Sequence, residues 1–531
     1  MARELAGSGT VTTAPYVRAA RRFVIVPVAF VSVFTVWPTL VTLRRGFDVT
    51  SVLTDPGLRA TVWFTTWQAL LSTIVALALG LPATWVLARH DFAARRIVRA
   101  LTLVPFVLPT LVVGLAFRAL LPGDLRTGAL PLVVAHAFLN IAVVVRIVGT
   151  RWESQPFTYD EAAATLGAGP ISRFTTVTWP LLRGSITAAA GLVFMYCFST
   201  YGAARVLAGP TRPVVETEIY RFAVLAGDMR AASALAVAQV VIVAVVLALT
   251  SRGARFRSVP GRPLDLRTLR RPRRVAVATG AIVIVVVFAV PLVGLIVRSL
   301  TLGDGFSTAA WRDAFDRNST TLDIVPAAVS SVSTAALAAL IALCIGFTIA
   351  FAQVHARSRG VTVLATACEV IPVVVSAVVL GLGFILAFRN GPFDWRGKWW
   401  LLPVAHAVVA VPLVSRGIAS SMRQIPDDLR SAAATLGASP ARVFSSIDVA
   451  LLRRPIGAAG TLAALVSLGE FGASSLLSRR GNETLTMTIG RLLGRPGDLV
   501  QAQAFVVATV LGLLCLCLVS FVDLAAAREQ R

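Results

Sequence analysis

Two carboxylates stand where a carboxylate is costly. Glu470 lies in SLGEFG at residues 467–472 and Glu369 in ATACEVIP at residues 365–372, each inside a long apolar stretch. An ionisable side chain within a membrane span is a functional candidate by default, because hydrocarbon does not solvate charge. Gly469 and Gly472 flank Glu470 and allow another backbone to come close. Thr200 holds the place in the first half of the chain that Glu470 holds in the second, with Tyr201 beside it and Tyr196 nearby. Together these five residues, Glu470, Glu369, Thr200, Tyr201 and Tyr196, are the candidates to line a path, and they would suit either an organic cation or a metal in transit.

Other chemistry is thinly supplied. His136 and His406 are likewise counterparts in the two halves, and one histidine per half reads more simply as a duplicated packing or hydrogen-bonding residue than as a metal pair. The five cysteines all fall in apolar segments, where a thiol behaves as a small hydrophobe. Cys515 and Cys517 point about 200° apart on a helix, so they do not share a metal. Neither H-E-x-x-H nor a nucleophile with its base is present, so no catalytic or metal residues are assigned. Lys398, the one lysine, follows Gly397 but precedes Trp399, so no phosphate-binding loop forms on it. Any ATP and magnesium must therefore bind to another polypeptide.

The elements that hold these residues follow from composition. Of 531 residues 56% are hydrophobic and 14% charged, well below the roughly 25% charged of soluble domains. A net charge of +24 would suit nucleic acid, but the arginines punctuate apolar runs instead of forming a basic domain. The chain reads as all-α and polytopic. Spans of about 20 apolar residues fall near Phe23–Leu43, Thr61–Leu87, Leu101–Leu121, Leu130–Val148, Ile186–Leu207 and Ala231–Leu249. Six more fall near Val275–Val297, Ala327–Ala352, Val363–Phe388, Leu401–Ile418, Ile456–Leu477 and Ala502–Leu524. No interrupted pair of spans is evident. An even number puts both termini on one side. The nine-arginine stretch SRGARFRSVPGRPLDLRTLRRPRR marks that side as cytoplasmic. The organisation is then an N-terminal segment 1–22, a first six-span unit 23–250, a linker 251–274, a second unit 275–524 and a tail 525–531. No cleavable signal is expected, and the first span is retained.

The halves are copies. DEAAATLGAGP at 160–170 returns as RSAAATLGASP at 430–440, and the same offset pairs Arg146 with Arg416, Phe174 with Phe444 and Gly202 with Gly472. Six spans per copy make the repeat parallel, about an axis along the membrane normal.

The repeated stretch lies in the cytoplasmic loop between the fourth and fifth spans of each half and is built as a knuckle. In the second copy Pro426 suits a first turn, Asp427 and Asp428 suit a helix N-terminus, Gly437 stops the helix, and Ser439-Pro440 starts another. Pro156, Asp160, Glu161, Gly167 and Pro170 repeat the plan. Ala162, Ala163 and Leu166, with Ala432, Ala433 and Leu436, form a small apolar face open to a symmetric partner.

Glu161-Ala162-Ala163 followed by Gly167, with Pro180-Leu181-Leu182-Arg183 downstream, resembles the EAA loop of the membrane subunits of binding-protein-dependent ABC importers. The likeness covers essentially the whole chain. The fused halves and Ser467–Gly472 are similar to the permeases of ferric-iron and thiamine importers. The resemblance implies two copies of a cytoplasmic ATPase docked on the knuckles and a substrate-binding protein on the outer face. It also implies a bacterial cell membrane and ferric iron or thiamine as substrate, with a polyamine, sulfate or phosphonate as alternatives. Ser431 stands where the family has glutamate, so the second knuckle's contact is weaker or uses Arg430. A secondary transporter is the competing class. It has no need of paired alanine knuckles.

Overall fold

The computed structural model describes residues 15–46, 52, 54–92, 94–155, 157–209, 211–253, 271–303, 305–316, 322–389, 394–479 and 481–528. Pro156, most of the arginine linker and both chain ends lie outside the described residues.

Among the described residues ten helices are long and apolar enough to cross a membrane, and two bent pairs, each counted as one span, bring the number to twelve. These overlap the twelve expected spans, and four of them differ from expectation. The third is Ile97–Val107 and Thr110–Leu120 at 104°, and the ninth is Arg359–Val374 and Ala377–Ala387 at 99°. An interrupted pair therefore exists, at matching places in the halves, contrary to the unbroken reading. Proline is the cause in the first half. Leu108 precedes Pro109 and is driven to extended backbone, φ −75° and ψ 139°. In the second half Pro372 weakens the helix, Val375 is extended, and the Ser376 hydroxyl accepts the Val379 amide at 3.2 Å to start the next helix.

The fifth and eleventh spans also differ from expectation. Each starts early, at the knuckle itself, as helices Pro170–Phe198 and Pro440–Gly469, and each passes through a wide π turn at Phe174–Thr178 or Phe444–Val449. Each also stops early. A short break precedes the helices Gly202–Leu207 and Gly472–Leu477, so Thr200 and Glu470 sit on broken backbone, not inside a span helix. These breaks press against the bent spans. A Cβ on Gly202 would lie 2.4 Å from Thr110 Oγ1, and one on Gly472 2.8 Å from Val378 Cγ2. Only glycine lets the two pieces cross this closely.

The halves exchange their first helices. The first span, Pro15–Arg45, packs on the second half, with Phe34 against Phe384, Phe388 and Trp400. The seventh, Val275–Ser299, packs on the first half, where the Phe288 and Phe138 centroids are 5.2 Å apart. The units 23–250 and 275–524 are thus repeats in sequence but interlocked in packing. A short hairpin, Thr301–Leu302 with Gly305–Phe306, is the one sheet among the described residues.

Candidate functional site

The two bent spans and the two breaks converge on the axis between the halves. There they enclose a cavity of about 350 Å³. Glu470, Thr200, Tyr201 and Tyr196 line it; Glu369 does not. Glu369 is turned to Arg416, whose Nε lies 2.6 Å from its Oε1, and to Gln353, which donates to its Oε2 at 2.7 Å. Arg416 in turn lines the cavity. The carboxylate therefore balances a cavity residue from behind the wall.

Glu216 and Ser376 line the cavity without being among the five sequence candidates. Glu216 falls in a stretch that reads as a loop between spans. It lies on the short helix Val215–Tyr220, 2% exposed, and accepts Gln239 Nε2 at 2.9 Å. Ser376 lines the same space. The available signal for Glu216 is that it is a second carboxylate in an apolar neighbourhood, but the glycine and prolines at 209–213 before it mark a surface loop. Each half thus contributes one glutamate, and its counterpart in the other half is threonine in both cases: Thr200 for Glu470 and Thr486 for Glu216.

Glu470 is fixed locally. Its Oε1 accepts the Ala473 amide at 3.0 Å, capping the helix that follows, and its carbonyl accepts the Thr486 and Ser474 hydroxyls at 3.1 and 3.0 Å. The backbone groups freed by the break thereby find partners without water. The histidines supply hydrogen bonds. His136 Nε2 meets Thr200 Oγ1 at 3.1 Å, and His406 meets Ser467 Oγ at 2.8 Å and Ser474 Oγ at 3.0 Å.

At the opposite end of the spans stand the knuckles, helices Phe157–Thr165 and Asp427–Thr435. Pro426 is the residue before its helix, not within the first turn. Both helices end alike. Gly167 and Gly437 take φ of +81° and +83°, the amides of Ala168 and Ala438 reach back to the carbonyls of Ala163 and Ala433 at 3.0 Å, and those of Gly167 and Gly437 reach Ala164 and Ala434. This Schellman closure turns the chain outward and leaves Leu166 and Leu436 at 87% and 88% exposure. Ala162 and Ala432 are exposed or half-buried beside them with Ala163, Ala433, Glu161 and Ser431.

The anchors beneath the knuckles are inverted in charge. Asp160, in the first, is held by Arg89 at 2.7 Å. Arg430, at the same place in the second, is held by Asp448 at 2.6 Å and Asp427 at 2.7 Å, and Tyr16 donates to Asp448 at 2.8 Å. Arg430 is 8% exposed, so it faces inward and not the docking surface where it is expected from the sequence. Burial works against its charge, but the two carboxylates outweigh that and hold its pKa above the ordinary arginine value.

Comparison with known proteins agrees with this arrangement. The family described as "Binding-protein-dependent transport system inner membrane component" matches residues 76–256 and 342–531, once in each half. The chain is 27% identical to the thiamine transport system permease protein of Brucella suis biovar 1 over 91% of both chains. It is 24% identical to that of Escherichia coli K12 over 91% of this chain and 92% of the other. A sulfate transport system permease protein of Salmonella typhimurium is 31% identical over 38% of this chain and 77% of its own. With the family pattern present twice, over spans, breaks and knuckles alike, the chain belongs to the inner-membrane components of binding-protein-dependent transport systems and is a multi-pass permease.

Proposed function

We propose that the chain is the complete membrane pathway of an ATP-driven thiamine importer. A substrate-binding protein delivers thiamine on the outer face. Two copies of a separate cytoplasmic ATPase, which bind the ATP and magnesium, dock on the knuckles through Ala162, Ala163, Leu166, Ala432, Ala433 and Leu436, with Glu161 and Ser431 at their edges. Both termini and the arginine linker face the cytoplasm, as the basic bias favours. Closure of the ATPases switches the cavity from inward to outward access. Thiamine is favoured over ferric iron and sulfate because relatives named as thiamine permeases match end to end, whereas the sulfate permease matches 38% of this chain.

The observation that carries the coupling is the identical Schellman closure that exposes Leu166 and Leu436 in both halves. The interrupted spans remove one argument against a secondary transporter, since such folds place their sites at broken helices too. The paired knuckles still have no use in that class. Reconstitution decides between them. Vesicles holding the chain, its ATPases and its binding protein accumulate thiamine only when ATP is supplied on the ATPase side. Uptake by the chain alone, driven by a proton or sodium gradient, would overturn the reading.

A further inference from the structure

We infer that the cavity between the halves is itself a binding site for an organic monocation that carries a flat ring, with Glu216 and Glu470 as its counter-charge. The inference rests on the permease reading above and assigns a ligand class to the pathway. An imbalance of charge is the starting point. Glu216 and Glu470 line one cavity from opposite halves. Neither makes an ion pair among the described residues. Their partners are neutral: Gln239 for Glu216, and the Ala473 amide for Glu470. Arg416, the one arginine among the described lining residues, is matched by Glu369 behind it. The lining therefore holds two carboxyl groups with no basic partner among the described lining residues, and an entering cation would favour their ionised form.

The wall between them decides what kind of cation. Tyr201 and Phe471 lie against each other with ring centroids 5.0 Å apart, and both border the cavity. An aromatic wall attracts an organic cation and packs against a flat one. A bare metal ion instead needs several hard ligands, and no group of three His, Cys, Asp or Glu suited to one occurs among the described residues. The volume of about 350 Å³ is at the small end of ligand pockets, enough for one two-ring solute.

The test uses the permease purified with its ATPases and no binding protein, and measures binding of radiolabelled thiamine and of N-benzylpyridinium. Glu216→Gln and Glu470→Gln each keep the hydrogen bonds and remove the charge. Each is expected to weaken both probes at least ~10-fold, the loss of about 1.4 kcal/mol. The neutral thiophene analogue of thiamine is expected not to compete. Co-purification of the ATPases checks that the variants assemble, and the two glutamates, in different halves, serve as independent tests. Equal binding by wild type and both variants, competition by the neutral analogue, or thiamine import with no binding to the complex would overturn the site and leave the proposed importer standing. No thiamine import, with charge-dependent binding of N-benzylpyridinium, would overturn the substrate and leave the site.

Discussion

Tyr201 and Phe471 hold the same position in the two halves of the repeat, and their rings meet at 5.0 Å with 41° between planes. The pseudo-two-fold axis thus runs through an aromatic contact on the cavity wall. Both residues are 5% exposed. In this conformation the halves are closed on each other at that level.

If the contact holds the halves together, the two rings are coupled. Tyr201→Leu and Phe471→Leu each lower the melting temperature of the solubilised protein, and the double variant loses less than their sum. The expected coupling is about 0.5–1.5 kcal/mol. Strict additivity would mean that the rings do not touch.

Close crossing of the broken spans gives a second expectation. Gly202→Ala and Gly472→Ala put a methyl within 2.4–2.8 Å of Thr110 and Val378, so each destabilises by about 1–3 kcal/mol, as overpacking does. Gly417→Ala, in a helix with nothing within 4 Å of its Cβ, is neutral or stabilises by up to about 1 kcal/mol. Melting curves of the three variants check the order.

The buried ion pair beneath the second knuckle predicts a non-additive series. Arg430→Met or Asp448→Leu alone leaves a charge without its buried partner and costs about 3–5 kcal/mol. The double variant recovers most of that. Limited proteolysis at the knuckle and thermal unfolding read the outcome, and a double variant worse than either single would contradict the pairing. Tyr16→Phe removes the donor to Asp448 and costs about 1 kcal/mol.

Topology is open to a direct check. A cysteine in the arginine linker, on a background without the five native ones, is expected to be shielded from impermeant reagent in intact cells and to react in inverted vesicles. Labelling from outside would invert the map.

Much of this is legible in the sequence because it depends on period and repetition. Twelve apolar runs, the constant offset between the halves and the glycine stops at Gly167 and Gly437 are written in residue type alone. The bends are not, because hydropathy averages over a window and passes across a short break. Pro105, Pro109 and Pro372 are the local sign, but Pro105 and Pro372 do not sit at the repeat offset, so the duplication does not single them out. Arg430 reads as outward for a similar reason. Its partner Asp448 lies across the glycine break and within the π turn, where helical periodicity no longer relates one side chain to another.

The proposed coupling of ATP hydrolysis to transport runs through the knuckles. Gly167 and Gly437 have positive φ and open space around the position of a Cβ. Aspartate at either site adds about 1–2 kcal/mol of local strain but no clash within the chain, so both variants insert in the membrane. The first knuckle carries Glu161 where the second has Ser431, and we expect the first to carry more of the contact. The measurement is ATP-dependent thiamine uptake in vesicles, with co-purification of the ATPases, for Gly167→Asp, Gly437→Asp and the pair. The prediction is a larger loss of uptake and of bound ATPase for Gly167→Asp than for Gly437→Asp, and none of either left in the pair; full uptake with normal ATPase binding in all three would contradict the assignment of the knuckles.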